Sequence, residues 1–263
     1  MTTPGAETRE ADRRTGDHVE IAGDYQHRAL HQGPAPQRFW HWAKIEEAIA
    51  SLELAPGDRV LDVGCGSGVA SARAAEITGV DVLGVDGNPA AIEFARRTFA
   101  RSNLQFRLGL VDELDLPAAS FDKVIFLEVI EHLTRRQGAE VLAAFRRLLR
   151  PGGRAVLSTP NRRSLWPLIE WLLDRLRLVP NLGEEQHEHL YTVPELREIA
   201  EEAGLRVVEV KMVDTLAPWL AWLSEALARR VHAFEVRWLR AGGSLIVMTL
   251  EPAGVPPGIS ARR

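Results

Sequence analysis

A chain of 263 residues with 46% hydrophobic and 26% charged side chains has enough apolar material for a large core, which excludes disordered, collagen-like and repeat architectures. Its 36 acidic against 32 basic residues leave a net charge of -4, so the basic excess that a nucleic-acid binder needs is missing. The single cysteine, Cys65, excludes an intramolecular disulfide framework and a multi-cysteine zinc site.

In chain order, residues 1–18 are small, polar and charged without periodicity and predict a disordered tail. They carry no apolar targeting core, and no later stretch is long and uninterrupted enough to span a bilayer, so the expectation is a cytoplasmic location. A single domain is expected over 19–251, followed by a second Pro- and Gly-rich tail over 252–263. Within the domain, strands are predicted at 59–63, 80–86, 104–110, 123–128, 154–159, 205–213 and 244–250. The first five are almost wholly apolar, as strands buried on both faces of a parallel sheet must be. Helical patterns at 67–77, 89–100 and 134–150 separate them. The alternation predicts an α/β fold, a doubly wound and mostly parallel seven-stranded sheet.

Two stretches exceed what a minimal βα alternation needs, and both predict helical insertions, over about 160–192 and 215–240. The first contains a helix over 163–179 with Glu170, Asp174 and Arg177 on one stripe. The second repeats Leu216, Leu220, Leu223, Leu227, Val231, Phe234 and Trp238 at spacings of three and four, which puts them on one helix face. Such faces either pack on the core, close as a lid over an apolar pocket, or rest on a membrane surface as a peripheral contact. The mixed charges of the polar stripe favour the lid, and Trp166, Trp171, Trp219 and Trp222 make it an apolar one.

The sharpest local signal is Val60-Leu61-Asp62-Val63-Gly64-Cys65-Gly66-Ser67-Gly68, a strand running through glycines into a helix. Glycines let the backbone turn tightly and let a ligand lie against it. A dinucleotide fingerprint would need glycine at position 69, which is valine. Instead the loop carries its own acid, Asp62, suited to a cationic, amino-acid-like group. Asp86 ends the next strand in Gly84-Val85-Asp86-Gly87-Asn88-Pro89, where a carboxylate can hold both hydroxyls of a ribose. Asp112, with Glu113 beside it, follows the third strand and can accept from the exocyclic amine of an adenine.

At the end of the fourth strand, Glu128, Glu131 and His132 would share one face if the chain turns helical there. Two carboxylates and an imidazole that close call for a proton or a metal ion, and an oxygen-rich set suits magnesium or manganese.

With VLDVGCGSG, GVDGNP, DELDLPAASFDKV, EVIEHL, LLRPGG, STPNR and YTVPELREIAEEAGL in that order, the chain resembles the class I S-adenosylmethionine-dependent methyltransferases, in particular the ubiquinone-biosynthesis O-methyltransferase group. The resemblance covers about 37–214 and implies a Rossmann-like methyltransferase fold that binds S-adenosyl-L-methionine. It implies that Gly64, Gly66 and Gly68 line the methionine and ribose part. Asp86, with Gly87 and Asn88, would serve the ribose, and Asp112 with Glu113 the adenine; Leu127 would flank the cofactor. Lys44 stands where the ubiquinone-pathway enzymes carry an arginine that contacts the cofactor. The Glu-x-x-Glu-His pattern also occurs in the small-RNA terminal ribose methyltransferases, where it looks like a metal site completed by a histidine from beyond strand five. Here His187 or His189 could complete such a set with Glu128, Glu131 and His132.

The expected function is O-methylation of a small, apolar, hydroxylated molecule such as a quinone precursor, a lipid or a secondary metabolite. His132 is expected as general base, with Glu128 and Glu131 beside it in the reaction site. Transfer to nitrogen or carbon on the same fold is the alternative, and a non-catalytic, cofactor-binding module at a membrane surface is the reading from another class.

Overall fold

The computed structural model describes residues 22–164, 189–239 and 242–254. The two terminal tails, most of the helix expected over 163–179, Trp166, Trp171 and His187 lie outside the described residues, apart from 252–254. Among the described residues two helices precede the sheet, α1 (Tyr25–His31) and α2 (Ala35–Leu52). The alternating part follows: β1 (Arg59–Val63), α3 (Val69–Ala74), β2 (Asp81–Asp86), α4 (Pro89–Thr98), β3 (Leu104–Leu108), β4 (Phe121–Leu127), α5 (Arg135–Leu148) and β5 (Leu149–Pro160). The chain closes with α6 (Val193–Glu202), β6 (Leu205–Val213), α7 (Ala217–Leu220), α8 (Glu225–Trp238) and β7 (Leu245–Pro252).

The seven strands form one sheet in the order β3-β2-β1-β4-β5-β7-β6, and β7 runs antiparallel to both of its neighbours. The order reverses beside β1, between β1 and β4, where open α/β sheets bind their ligands beyond the carboxyl ends of the strands. Alternate residues along each strand feed two cores, as the pleat requires. Val60, Ile125, Val156 and Val247 face one side, with Ile45, Ile49 and Leu52 of α2 and Ile92 and Ala95 of α4. Leu61, Val124, Phe126, Leu157 and Ile246 face the other, with Leu142, Phe145 and Leu148 of α5 and Leu196 and Ile199 of α6. The seven-stranded, doubly wound sheet expected from the sequence is therefore present, with strand ends within a few residues.

Two expectations need correction. The helix predicted over 215–240 is two, because Ser224 starts α8 by accepting a hydrogen bond from the Leu227 N–H and so ends the short α7 before it. The apolar stripe of that segment is also split: Leu220 and Val231 pack with Phe39 and Ala43 of α2, while the rest of it faces outward. Leu216, Leu223, Leu227, Phe234 and Trp238 are exposed, Leu223 by 79% and Trp238 by 63%. The buried face of α8 holds Ala228, His232 and Glu235, and it packs with α7 against Phe39 and Ala43 of α2. Polar anchoring decides the orientation. Glu235 accepts from the Leu216 and Ala217 N–H groups at the start of α7, and His232 meets Glu47 at 3.1 Å, which in turn pairs with Lys211 of β6.

Candidate active site

The glycine loop after β1 holds three successive left-handed glycines, Gly64, Gly66 and Gly68, with φ of 69°, 51° and 81°. Each is also tight for space. A Cβ on Gly64 would run into Val129, one on Gly66 into Gln26 of α1, and one on Gly68 into Phe106. Helix α1 thus lies on the loop, and the His27 N–H donates to the Ser67 hydroxyl at 3.0 Å.

Asp62 sits beneath the loop, 2% exposed, and accepts from the Ser71 hydroxyl at 2.5 Å. Burial pushes its carboxyl up to about 7, against the opposing Ser71 hydrogen bond and with help from nearby Asp86. The acid expected to meet a cationic group therefore faces α3. Asp86, at the tip of β2, accepts from the Gly66 N–H through Oδ2 and from the Asn88 N–H through Oδ1, both at 2.7 Å. Each oxygen keeps a lone pair for a further donor. Burial raises its pKa, while the two backbone hydrogen bonds lower it. Asn88 caps α4, its side chain accepting from the Ala90 and Ala91 N–H groups. Gly87 is exposed beside it, Asp112 and Glu113 are exposed in the turn after β3, and Leu127 is buried at the end of β4.

The chain does not turn helical directly after β4, which corrects the shared face expected for Glu128, Glu131 and His132. Glu128 is left-handed, with φ of 56°, and a short 3-10 turn spans Ile130–His132. A non-glycine residue in this region stores strain, a feature that clusters at functional sites. The neighbouring strand holds the turn in place. The Glu128 N–H donates to the Ser158 carbonyl, the Ser158 hydroxyl donates to Glu128 Oε1 at 2.9 Å, and the Thr159 hydroxyl donates to Glu131 Oε2 at 3.0 Å. Glu131 is 1% exposed. Burial, and then the charge of Glu128, drive its pKa well above the usual carboxylate value. His132 is half-buried at the end of the 3-10 turn.

The metal set is not assembled. His189 reaches Glu131 through its backbone N–H, while its ring packs edge-on to Tyr191 at 4.5 Å and lies 3.9 Å from Glu195. Among the described residues no three His, Cys, Asp or Glu side chains converge as metal ligands would.

Helix α2, which the sequence reading did not anticipate, runs along one face of the sheet, with Trp40 at the carboxyl ends of the strands and Ser51 and Leu52 at the amino ends of β4 and β5. Its Trp40 indole N–H donates to Ser244, just before β7, at 3.4 Å. Lys44 is 4% exposed, with its ammonium 4.2 Å from the Trp40 ring centre. It is near enough to Glu131 and to Asp214, after β6, to favour the charged form of both. His41 is buried and kept neutral, its pKa driven well down by burial and then by Lys44. Apolar spacing at Phe39, Ala43, Ala48, Ile49 and Leu52, after prolines at 34 and 36, was the available signal for this helix.

Residues 37–210 match the family described as methyltransferase domain. The ubiquinone biosynthesis O-methyltransferase of Cereibacter sphaeroides is 36% identical over 177 residues, which cover 64% of this chain and 69% of that protein. An O-methyltransferase of Pyrenophora dematioidea is 32% identical over 218 residues, 73% of this chain and 74% of that protein. In three dimensions the chain resembles the 1,6-didemethyltoxoflavin-N1-methyltransferase of Burkholderia thailandensis, solved with 1,6-didemethyltoxoflavin and S-adenosylhomocysteine. The TM-score is 0.59 and the identity 22%, with 96% of this chain and 93% of that one covered.

Proposed function

Since the chain belongs to the methyltransferase domain family, and is an S-adenosylmethionine-dependent methyltransferase, we propose that it methylates a hydroxyl of a small, apolar molecule. The observation that carries this reading is the contact between Val129 and Gly64, which sets the acidic turn after β4 directly against the glycine loop.

The residues suit the cofactor. The loop has no room for Cβ atoms, and Asp86 offers two oxygens already oriented by backbone N–H groups and still able to accept from ribose hydroxyls. When bound, S-adenosylmethionine supplies a methyl group already activated by its sulfonium, so the protein's main task is alignment, worth on the order of 7 to 11 kcal/mol. Glu131, buried and accepting from the Thr159 hydroxyl, anchors the turn that carries His132. His132 is the residue to remove the hydroxyl proton as the bond to the methyl forms, a contribution of roughly a hundredfold to ten-thousandfold. Magnesium or manganese has no convergent ligand set among the described residues.

The test is incubation of the purified protein with S-adenosylmethionine and uncharged phenols, locating the new methyl by NMR. A methyl ether is the expected product; a methyl on nitrogen or carbon would overturn the hydroxyl reading.

The exposed stripe on α8 supports a second, compatible element, peripheral contact with a membrane. Leu227, Phe234 and Trp238 share a face with Arg230 and Arg237, the mixture of apolar side chains and cations that sits at a lipid headgroup boundary. No helix among the described residues is long and apolar enough to cross a membrane. Co-sedimentation with anionic vesicles, lost when Phe234 and Trp238 are changed to serine, tests it.

A further inference from the structure

Buried polar atoms are nearly always hydrogen-bonded, and an unpaired one costs free energy that a fold rarely tolerates without a use. Among the described residues, five buried side-chain polar atoms lack a partner, and three of them are on two consecutive residues where β6 ends: both carboxylate oxygens of Asp214 and the Thr215 hydroxyl. Asp214 is 3% exposed and left-handed, with φ of 61°. Its backbone carbonyl is used, accepting from the Ser244 N–H, while its carboxylate is not. Acidic neighbours surround it on the packed elements, Glu235 from α8, Glu128 from the β4 tip and Glu47 from α2, and Lys44 is the cation that opposes them.

The position defines what such a group can meet. Because β7 is antiparallel, β6 is parallel to β5, and Asp214 leaves the sheet at the same edge as Glu128 and the glycine loop. Between β4 and β6 lie β5 and β7. Three strand spacings separate the strand axes by roughly 14 Å, and inward-leaning side chains bring the two carboxylates to on the order of 10 Å. A molecule whose hydroxyl is methylated at the β4 tip therefore reaches Asp214 only with its far end.

We propose that Asp214, with Thr215 beside it, is the specificity-determining group for the distal end of the acceptor: it accepts a hydrogen bond from a second O–H of an extended, uncharged molecule and turns away one that ends in a carboxylate. This rests on the hydroxyl-acceptor reading above. An O–H donor satisfies the orphaned oxygens, whereas a terminal carboxylate brings a further charge into a desolvated site already crowded by Glu235, Glu128 and Glu47. A buried water is the competing occupant.

The experiment uses three probes on one biphenyl frame: 4,4′-dihydroxybiphenyl, 4-phenylphenol, which lacks the second hydroxyl, and 4′-hydroxybiphenyl-4-carboxylate. Wild type is expected to methylate the diol with a kcat/KM at least about tenfold above the other two. Asp214→Asn and Asp214→Leu should raise KM for the diol about tenfold or more, and Asp214→Asn should narrow the discrimination against the carboxylate. Cofactor affinity should stay the same and Tm should hold or rise, since no internal partner is lost. A wild type that methylates the diol but does not prefer it overturns the proposal. So do variants with unaltered diol kinetics, as a water at Asp214 would give, or variants that lose several degrees of Tm or bind S-adenosylmethionine more weakly. Transfer to none of the three phenols counts instead against the hydroxyl-acceptor reading and takes this inference with it.

Discussion

Asp86 and Gly66, on neighbouring strand ends, are joined by a 2.7 Å hydrogen bond from the Gly66 N–H to Asp86 Oδ2. The acid at the tip of β2 and the middle glycine of the loop after β1 thus form one piece of the cofactor site, each fixing the other. Replacing Asp86 by Ala removes two backbone anchors as well as the acceptors for a ribose. Charge-assisted bonds are worth about 1.5 to 3 kcal/mol each, so S-adenosylmethionine affinity should fall by roughly ten- to a hundredfold. Calorimetry checks this, and unchanged affinity would remove Asp86 from the site.

Gly64 combines a positive φ with a side chain already filling the space its Cβ would need. Gly64→Ala should destabilise the protein by about 1 to 3 kcal/mol and disturb the turn at Glu128 through Val129. Adding Val129→Ala should recover the steric part of that loss and leave the backbone part. Chemical denaturation of the single and double variants separates the two.

Asp62 predicts a pH dependence of stability. Its folded-state pKa of about 7 lies above the ordinary carboxylate value of 3.8, so the native state holds the proton more tightly than the unfolded chain. The resulting contribution is fully present below about pH 4 and is lost as pH rises towards 7, by at most about 4 kcal/mol. Asp62→Asn, which can still accept from Ser71, should flatten this part of the stability curve. Parallel curves for wild type and variant between pH 4 and 7 would contradict it.

Glu131 and His132 should separate kinetically. Because Thr159 donates to Glu131 and a glutamine can still accept that bond, Glu131→Gln should change turnover by only about threefold, whereas Glu131→Ala strands the Thr159 hydroxyl and should cost about 1 to 3 kcal/mol of stability. His132→Ala should lower turnover by roughly a hundredfold with cofactor affinity intact. Single-turnover measurements on a phenol that the wild type methylates decide this; full activity of the His132 variant would require a different base.

The alternation of strand and helix, the glycine loop and the acids at successive strand ends were legible because they are local. A strand buried on both faces must be apolar throughout, and a tight turn under a ligand must be glycine. These requirements act on neighbouring residues, so the sequence displays them, and they were sufficient for the sheet, the placement of Asp86 and the family.

Tertiary structure decided the rest. Asp62 reads as a ligand-facing acid until Ser71 of α3 closes over it. Glu128, Glu131 and His132 read as one helix face until the Ser158 and Thr159 hydroxyls of β5 hold the turn otherwise. The apolar stripe of α8 reads as a packing face, yet the buried side is chosen by Glu235 and His232, whose partners are the start of α7 and Glu47 of α2. Nothing near Asp214 in the chain marks it out. Its burial arises because β6 delivers it to the end of the sheet near Lys44 of α2, some 170 residues away in sequence, a relation that only long-range packing creates.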